Sequence, residues 1–177
     1  MLFFTPQWAH GESSHDAAAA YQRHIDSLAK KLPQPALDLH RTTSLHDARI
    51  QRVSYPRTGP MVVLLRCGDL QVGYRDVELT YHGLSLDESD LRCIHAILAT
   101  PTEELLYDEF DLAGALVVHR LLFTSLGQVT LVFRDFTYRS TAVRSRDFDR
   151  GVDDLSGLPA GHRDVPADTQ PGSNLRD

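Results

Sequence analysis

Apolar and polar positions alternate most clearly between residues 115 and 143, which read ALVVHRLLFTSLGQVTLVFRDFTYRSTAV. Two runs rich in Val, Leu, Phe, Thr and Tyr flank the segment Ser-Leu-Gly at 125–127, and these residue types suit a pleated, half-buried surface. The glycine can take the positive φ that a short hairpin loop requires. The pattern predicts a β-hairpin with arms Leu116–Thr124 and Gln128–Val143.

A three-residue loop, which sets Thr124 opposite Gln128, divides the hairpin into two faces because successive strand residues alternate. In this register Phe133 is a core residue that lies opposite His119. The nearly apolar face contains Val117, His119, Leu121, Phe123, Val129, Leu131, Phe133 and Asp135. The mixed face contains Leu116, Val118, Arg120, Leu122, Thr130, Val132, Arg134, Phe136 and Tyr138.

The segments before the hairpin change from a helical to an alternating period. Apolar residues spaced three and four apart predict a helix from about Ser14 to Leu32, and a proline in its first turn suits a short second helix at Pro35–Arg41. Strands are predicted at residues 45–55, 60–67, 71–82, 91–99 and 105–112. The breaks between them are short, which favours antiparallel neighbours. The expected fold is therefore α+β, a meandering antiparallel sheet of about seven strands with the N-terminal helix packed on one face.

The composition changes again at residue 144. The final stretch is polar and rich in Asp, Gly and Pro, and few of its residues could be buried. We therefore expect one α+β domain at residues 1–143 and a flexible C-terminal tail at residues 144–177.

Charge and cysteine content narrow the class of protein. The chain has 18 basic and 24 acidic residues, a net charge of −6, which argues against nucleic-acid binding and leaves open a protein partner with a basic surface. Its two cysteines are too few for a disulfide scaffold and read as buried free thiols. The N-terminus lacks the basic region of a signal peptide, and no stretch is long enough to span a membrane. A cytoplasmic location is expected, with no membrane partner.

No phosphate-binding loop, zinc pattern or standard catalytic motif is present, so neither a cofactor nor a metal is expected. Candidate chemistry rests on three small groups of residues. The first is His46 and Asp47, at the start of the first predicted strand. In an extended chain these side chains point to opposite faces, so they cannot form a simple dyad. Hydrogen bonding to the backbone at the junction is the favoured interpretation, and a ligand site is the alternative.

The second group is Asp108 and Glu109, adjacent carboxylates in an apolar strand and therefore on opposite faces. A carboxylate in such a strand needs a partner, and Arg120 or Arg134 on the neighbouring hairpin could provide it. Acid–base chemistry or metal binding by the two carboxylates is the alternative.

The third group is His119 and Asp135, diagonal neighbours on the apolar face in the predicted register. We interpret them as a buried pair that satisfies itself by hydrogen bonding. Use of the pair as an acid and a base would require a cleft beside it.

Five segments resemble a family of small uncharacterised bacterial proteins that carry a domain of unknown function. They are residues 2–8 (LFFTPQW), 45–49 (LHDAR), 106–109 (LYDE), 119–123 (HRLLF) and 132–136 (VFRDF). The resemblance covers about residues 1–140 and implies no activity. Some similar small acidic proteins are immunity proteins against secreted toxins.

Two functional hypotheses follow. The first is a non-enzymatic cytoplasmic protein-binding module, an immunity-type inhibitor that masks a bacterial toxin with an acidic surface. The second is a small metal-binding or hydrolytic enzyme, which requires several of the candidate residues to converge on one pocket. The residues that it would use are His46, Asp108, Glu109, His119 and Asp135.

Overall fold

The computed structural model describes residues 1–12, 16–100, 102–125, 127–146 and 151–152. Within these residues the chain forms four helices and eight strands. The helices are α1 (Pro6–Ala9), α2 (Ala17–Leu28), α3 (Gln34–Thr42) and α4 (Glu88–Ala99). The strands are β1 (Arg49–Ser54), β2 (Met61–Asp69), β3 (Gly73–His82), β4 (Leu105–Ala113), β5 (Leu116–Phe123), β6 (Gly127–Phe133), β7 (Asp135–Val143) and β8 (Gly151–Val152).

The strands form two sheets, in the order β7-β3-β2-β1-β8 and β4-β5-β6. Neighbouring strands are antiparallel except for the short β8, which pairs in parallel with β1. The predicted α+β fold with antiparallel strands is thus confirmed. Its strands are divided between a five-stranded and a three-stranded sheet.

The β5–β6 hairpin has the predicted three positions between its last paired residues, but it closes one position earlier. Phe123 pairs with Gly127, so that Leu131 and not Phe133 lies opposite His119. This difference moves each partner by two positions and therefore leaves every residue of β5 and β6 on its predicted face. Phe133 is fully buried, as predicted.

The predicted second arm of the hairpin is two strands. β6 ends at Phe133 in the three-stranded sheet, and β7 begins at Asp135 in the five-stranded sheet. Arg134 connects them, and its backbone N–H donates to the carbonyl oxygen of His82 at 2.9 Å. Because β6 and β7 belong to different sheets, the alternation of buried and exposed residues does not continue from one strand to the other. Phe136, predicted on the mixed face, is therefore fully buried.

The N-terminal helix packs where the sequence indicated. Tyr21 and Ile25 of α2 are buried, and the helix lies against β4. It begins at Ala17, where the Asp16 side chain caps it by accepting the N–H of Ala19. The predicted start at residue 14 lies outside the described residues. Helix α3 follows as predicted and packs against β7.

Helix α4 replaces a predicted strand, so the prediction for residues 91–99 is wrong. Asp87 accepts the N–H of Asp90 and caps the helix. Leu91, Ile94 and Ile97 follow at intervals of three, so that they lie on one side of the helix, which packs against β6. The apolar residues of this segment fit the period of a strand as well as that of a helix. The N-terminal cap that Asp87 provides favours the helix.

The two sheets share one hydrophobic core. Tyr81 of β3 contacts the rings of His119 and Phe133, which belong to the other sheet. No helix in the described residues is long and apolar enough to cross a bilayer.

The tail is described only in part. Arg146 donates to Glu104 and to the carbonyl oxygen of Asp47, and β8 extends the five-stranded sheet. Residues 147–150 and 153–177 lie outside the described residues, so a flexible tail stays a prediction.

Candidate functional site

The adjacent carboxylates of β4 lie on opposite faces of the strand, and neither forms an ion pair with an arginine among the described residues. Glu109 is only 1% exposed. It accepts the backbone N–H groups of Leu2, Phe3 and Phe4, each at 2.7 Å. The N-terminal segment therefore supplies the partner that Arg120 or Arg134 was predicted to supply. Three donors on one carboxylate satisfy its burial cost, and they make Glu109 a structural anchor.

Asp108 begins a chain of hydrogen bonds that crosses the core. Its Oδ2 lies 3.1 Å from Nε2 of His119, and Nδ1 of His119 lies 2.9 Å from the hydroxyl of Tyr81. The β4–β5 register sets this geometry, because it pairs His119 with Phe110 and so leaves Asp108 diagonal to the imidazole. The two rings of that pair stack with centroids 4.0 Å apart.

The protonation of this chain follows from its donors and acceptors. A carboxylate only accepts, so Nε2 of His119 carries a hydrogen. Burial, with the charge of Asp108, raises the pKa of Tyr81 far above its usual value. The phenol therefore keeps its proton. Among the described residues, no Lys or Arg forms an ion pair with Asp108.

The negative charge of Asp108 acts on the surrounding groups. Burial and this charge raise the pKa of Cys67 to about 12, so the thiol stays protonated. Burial and the same charge also raise the pKa of the Tyr21 hydroxyl. Asp108 is therefore a fixed anionic centre at the edge of the core.

Asp108 opens into a cleft of about 500 Å³ between the end of α3 and β4. The lining is aromatic and hydroxylic, with Arg41 as its one Lys or Arg side chain in the described residues. The lining residues are Phe4, Tyr21, His40, Arg41, Thr42, Thr43, Ser44, Leu45, His46, Leu106, Tyr107 and Asp108. The side chain of Asp108 is 21% exposed, so it can contact a ligand in this cleft.

His46 and Asp47 sit in a turn and not in an extended strand. Asp47 has φ 58°, a left-handed conformation that an Asp tolerates better than most residues. The turn brings Nδ1 of His46 to 3.0 Å from Oδ1 of Asp47, so the prediction that these side chains diverge is wrong. The backbone N–H of Asp47 donates to the carbonyl oxygen of Leu105 at 2.8 Å, which docks the turn on β4. His46 then meets the ring of Tyr107 edge-on.

A second cleft, of about 520 Å³, lies on the other side of this turn. It shares Thr42, Thr43, Ser44 and His46 with the first. Asp47 lines it together with residues at the loop end of the β2–β3 hairpin, including Asp69 and Val72. The two clefts and the hairpin form one continuous surface.

The tip of the β2–β3 hairpin is held by hydrogen bonds within its own loop. Asp69 Oδ1 accepts the backbone N–H groups of Gln71 at 2.6 Å and of Val72 at 3.0 Å, and these bonds lower the pKa of Asp69. At Gly68 a side chain would meet the carbonyl oxygen of Gly73 at 2.1 Å, so only glycine fits. The tip presents Leu70, 90% exposed, and Val72, 79% exposed.

The remaining candidate residues lie away from the clefts. Arg120 binds Asp111 and not Asp108, with both of its terminal nitrogens 3.1 Å from Oδ2. Arg134 is exposed and packs its aliphatic stem over Gly83. Asp135 is exposed and accepts the N–H of Phe136. The predicted pair of His119 and Asp135 is therefore wrong, because Asp135 begins a strand of the other sheet.

Sequence reasoning found His46, Asp47, Asp108 and His119 but missed their surroundings. Tyr81 was not a candidate, because only the packing of two sheets brings it to His119. His40 was not one either, although its position near the end of a predicted helix, close to His46, was a usable signal. In the described part of the chain, no group of three His, Cys, Asp or Glu side chains is arranged to hold a metal ion.

Comparison with known proteins gives a family and no activity. Searches found no match among curated proteins and none among solved structures. The sequence model of one protein family, described as protein of unknown function (DUF4085), matches residues 5–132. That range includes the second cleft, the hairpin tip and every residue of the first cleft except Phe4, and it covers well over half of the 177 residues. The chain belongs to this family.

Proposed function

We propose that the protein is a non-enzymatic, cytoplasmic protein-binding module, an immunity-type inhibitor that masks a bacterial toxin. The observation that supports this proposal most is the hairpin tip. Leu70 and Val72 are its two most exposed large apolar residues in the described part of the chain, and they lie two positions apart. Single exposed apolar residues are ordinary, but a pair held in one loop beside the second cleft is typical of a contact surface.

The hydrogen bonds within the hairpin loop add to this argument, because ordering a flexible loop on binding costs affinity. The bonds from Asp69 to the tip amides and the glycine at 68 fix the loop before a partner arrives. Leu70 and Val72 can then enter a partner surface with little loss of conformational entropy.

Charge supports a partner with a basic surface. The chain has a net charge of −6, and Asp47, Asp69 and Asp108 line the two clefts. Acidic groups around an apolar tip steer a basic protein to it and speed association. The apolar tip then provides affinity that persists when salt screens the charges.

A capture experiment tests the proposal. The tagged full chain is incubated with extract of its native host at low and at moderate salt. We expect one protein to be retained by the wild type and lost with Leu70→Ser combined with Val72→Ser. Leu2→Ser is the matched control, because Leu2 is 58% exposed but lies outside the hairpin. Retention by the double variant, or no capture at either salt concentration, would contradict the proposal.

The enzymatic hypothesis has weaker support. Of its five residues, only His46 and Asp108 line the first cleft, with His119 behind Asp108. Glu109 faces the N-terminal segment, and Asp135 is the first residue of β7, in the other sheet. Both nitrogens of the His119 imidazole are already hydrogen-bonded, to Tyr81 and to Asp108, and both His119 and Tyr81 are fully buried.

A further inference from the structure

We infer that the first cleft is a binding site for the guanidinium group of an arginine side chain, with Asp108 as its anionic contact. The inference deepens the proposed function and rests on it in one respect, since the arginine would belong to the protein partner. It assigns the two halves of the surface different roles. The hairpin tip contributes apolar contact, and the cleft contributes charge recognition.

The first argument is that the hydrogen-bonding capacity of Asp108 is only partly used. His119 donates one hydrogen bond to Oδ2, and no Lys or Arg in the described residues forms an ion pair with this carboxylate. Oδ1 has no hydrogen-bond partner among the described residues. A partly buried carboxylate with a free oxygen offers a strong site to a cationic donor, because charge-assisted hydrogen bonds exceed neutral ones.

The second argument is the chemistry of the walls. The rings of Phe4 and Tyr107 stack with centroids 4.9 Å apart, and His46 meets Tyr107 edge-on at 5.2 Å. These rings line the cleft that Asp108 opens into. A guanidinium is planar and weakly hydrated, and it stacks on aromatic rings while its N–H groups bind a carboxylate. A lysine ammonium lacks the plane and is more strongly hydrated, so arginine fits this cleft better.

The third argument is that the anionic centre is held in place. The buried imidazole of His119 is fixed by Tyr81 on one side and stacks on Phe110. Asp108 is therefore oriented before a ligand arrives, which lowers the entropic cost of binding. His119 acts here as a positioning residue, since it is fully buried and contacts no ligand itself.

The test uses small probes and the full-length chain. Nα-acetyl-arginine amide is titrated into the protein, and backbone amide NMR shifts report where it binds and how tightly. We expect shifts at residues 40–46 and 106–108. Nα-acetyl-citrulline amide, the neutral isostere, should not bind, and Nα-acetyl-lysine amide should bind more weakly. Equal affinity for the arginine and lysine probes would overturn the assignment to guanidinium.

Two charge variants and one control complete the test. Asp108→Asn keeps an acceptor for His119 and should weaken the arginine probe roughly 10- to 100-fold. Glu78→Gln removes the same charge from β3 outside the cleft and should leave the affinity unchanged. Arg41→Ala removes a like charge from the lining and should tighten binding about 1.5- to 5-fold.

Some results would overturn the inference. They are a lack of probe binding to the wild type, an equal loss in Glu78→Gln, and weaker binding in Arg41→Ala, which would indicate an anion site. The titration needs no protein partner, so its result is independent of the capture experiment. A failed capture with a successful titration rejects the proposed function alone, and the reverse rejects the cleft alone.

Discussion

Asp108 and Glu109 are neighbours in one strand, yet their surroundings on the two faces of β4 differ. Glu109 is buried and accepts three backbone N–H groups from the N-terminal segment. Asp108 is partly exposed and accepts one hydrogen bond, from the imidazole of His119. Both side chains end in a carboxylate and both lie in an apolar strand, so the functional group does not distinguish them.

The difference lies in how completely each carboxylate is satisfied. A saturated, buried acceptor contributes to stability and has no capacity left for a ligand. An acceptor with one free oxygen at the mouth of a cleft adds less to stability and can bind a cation. We therefore expect substitution of Glu109 to lower mainly the stability of the protein, and substitution of Asp108 to lower mainly its affinity for a cation.

The largest effect should come from Glu109→Ala. The substitution leaves three backbone N–H groups without an acceptor and releases the segment that packs Phe4 against Tyr107. We expect a loss of roughly 3–5 kcal/mol in the free energy of unfolding, measured in urea.

Asp108→Asn is the comparison for that variant, because it removes a carboxylate from the adjacent position. It should cost less than about 1 kcal/mol, since the amide oxygen still accepts from His119. Comparable losses in the two variants would mean that Asp108 is a structural residue as well. A loss below about 1 kcal/mol for Glu109→Ala would mean that the N-terminal segment detaches without consequence.

An intermediate effect is expected from Tyr81→Phe. It leaves Nδ1 of His119 without a donor in the core, which should cost about 1–3 kcal/mol. Tyr138→Phe is the matched control, because its hydroxyl bonds Thr42 at an exposed position and should matter by about 0.5 kcal/mol or less. Equal costs for the two tyrosines would show that the buried chain does not hold His119.

Local patterns predicted the faces of the hairpin but not its pairing. Alternation places His119, Leu131 and Phe133 on the buried face in either register, because a shift of two positions conserves parity. The exact partner depends on the loop, and there the prediction was two positions off. The same limit applies to Asp108, whose neighbour His119 is set by the β4–β5 register.

Other features depend on contacts that no local pattern contains. The division of the strands into two sheets occurs at Arg134, a single residue between two convincing strands. Tyr81 reaches His119 only because those sheets pack together. Helix α4 was accessible from the sequence, since Asp87 followed three residues later by Asp90 is a usable cap signal. The turn that brings His46 to Asp47 depends on a positive φ at an aspartate, which the sequence allows but does not require.

The smallest effect concerns Asp69, which holds backbone amides as Glu109 does but in solvent. The N–H groups of Val72 and Gln71 lower its pKa below the usual 3.8. Since the folded pKa is the lower one, the tip bonds are fully present above about pH 4 and are lost as pH falls through the folded value. We expect the amide shifts of Gln71 and Val72 to titrate together in NMR spectra, with a midpoint below 3.8. Asp69→Asn should remove that titration while β2 and β3 stay paired. A midpoint at or above 3.8 would show that the Asp69 carboxylate does not hold the tip amides, in contrast to the buried carboxylate of Glu109.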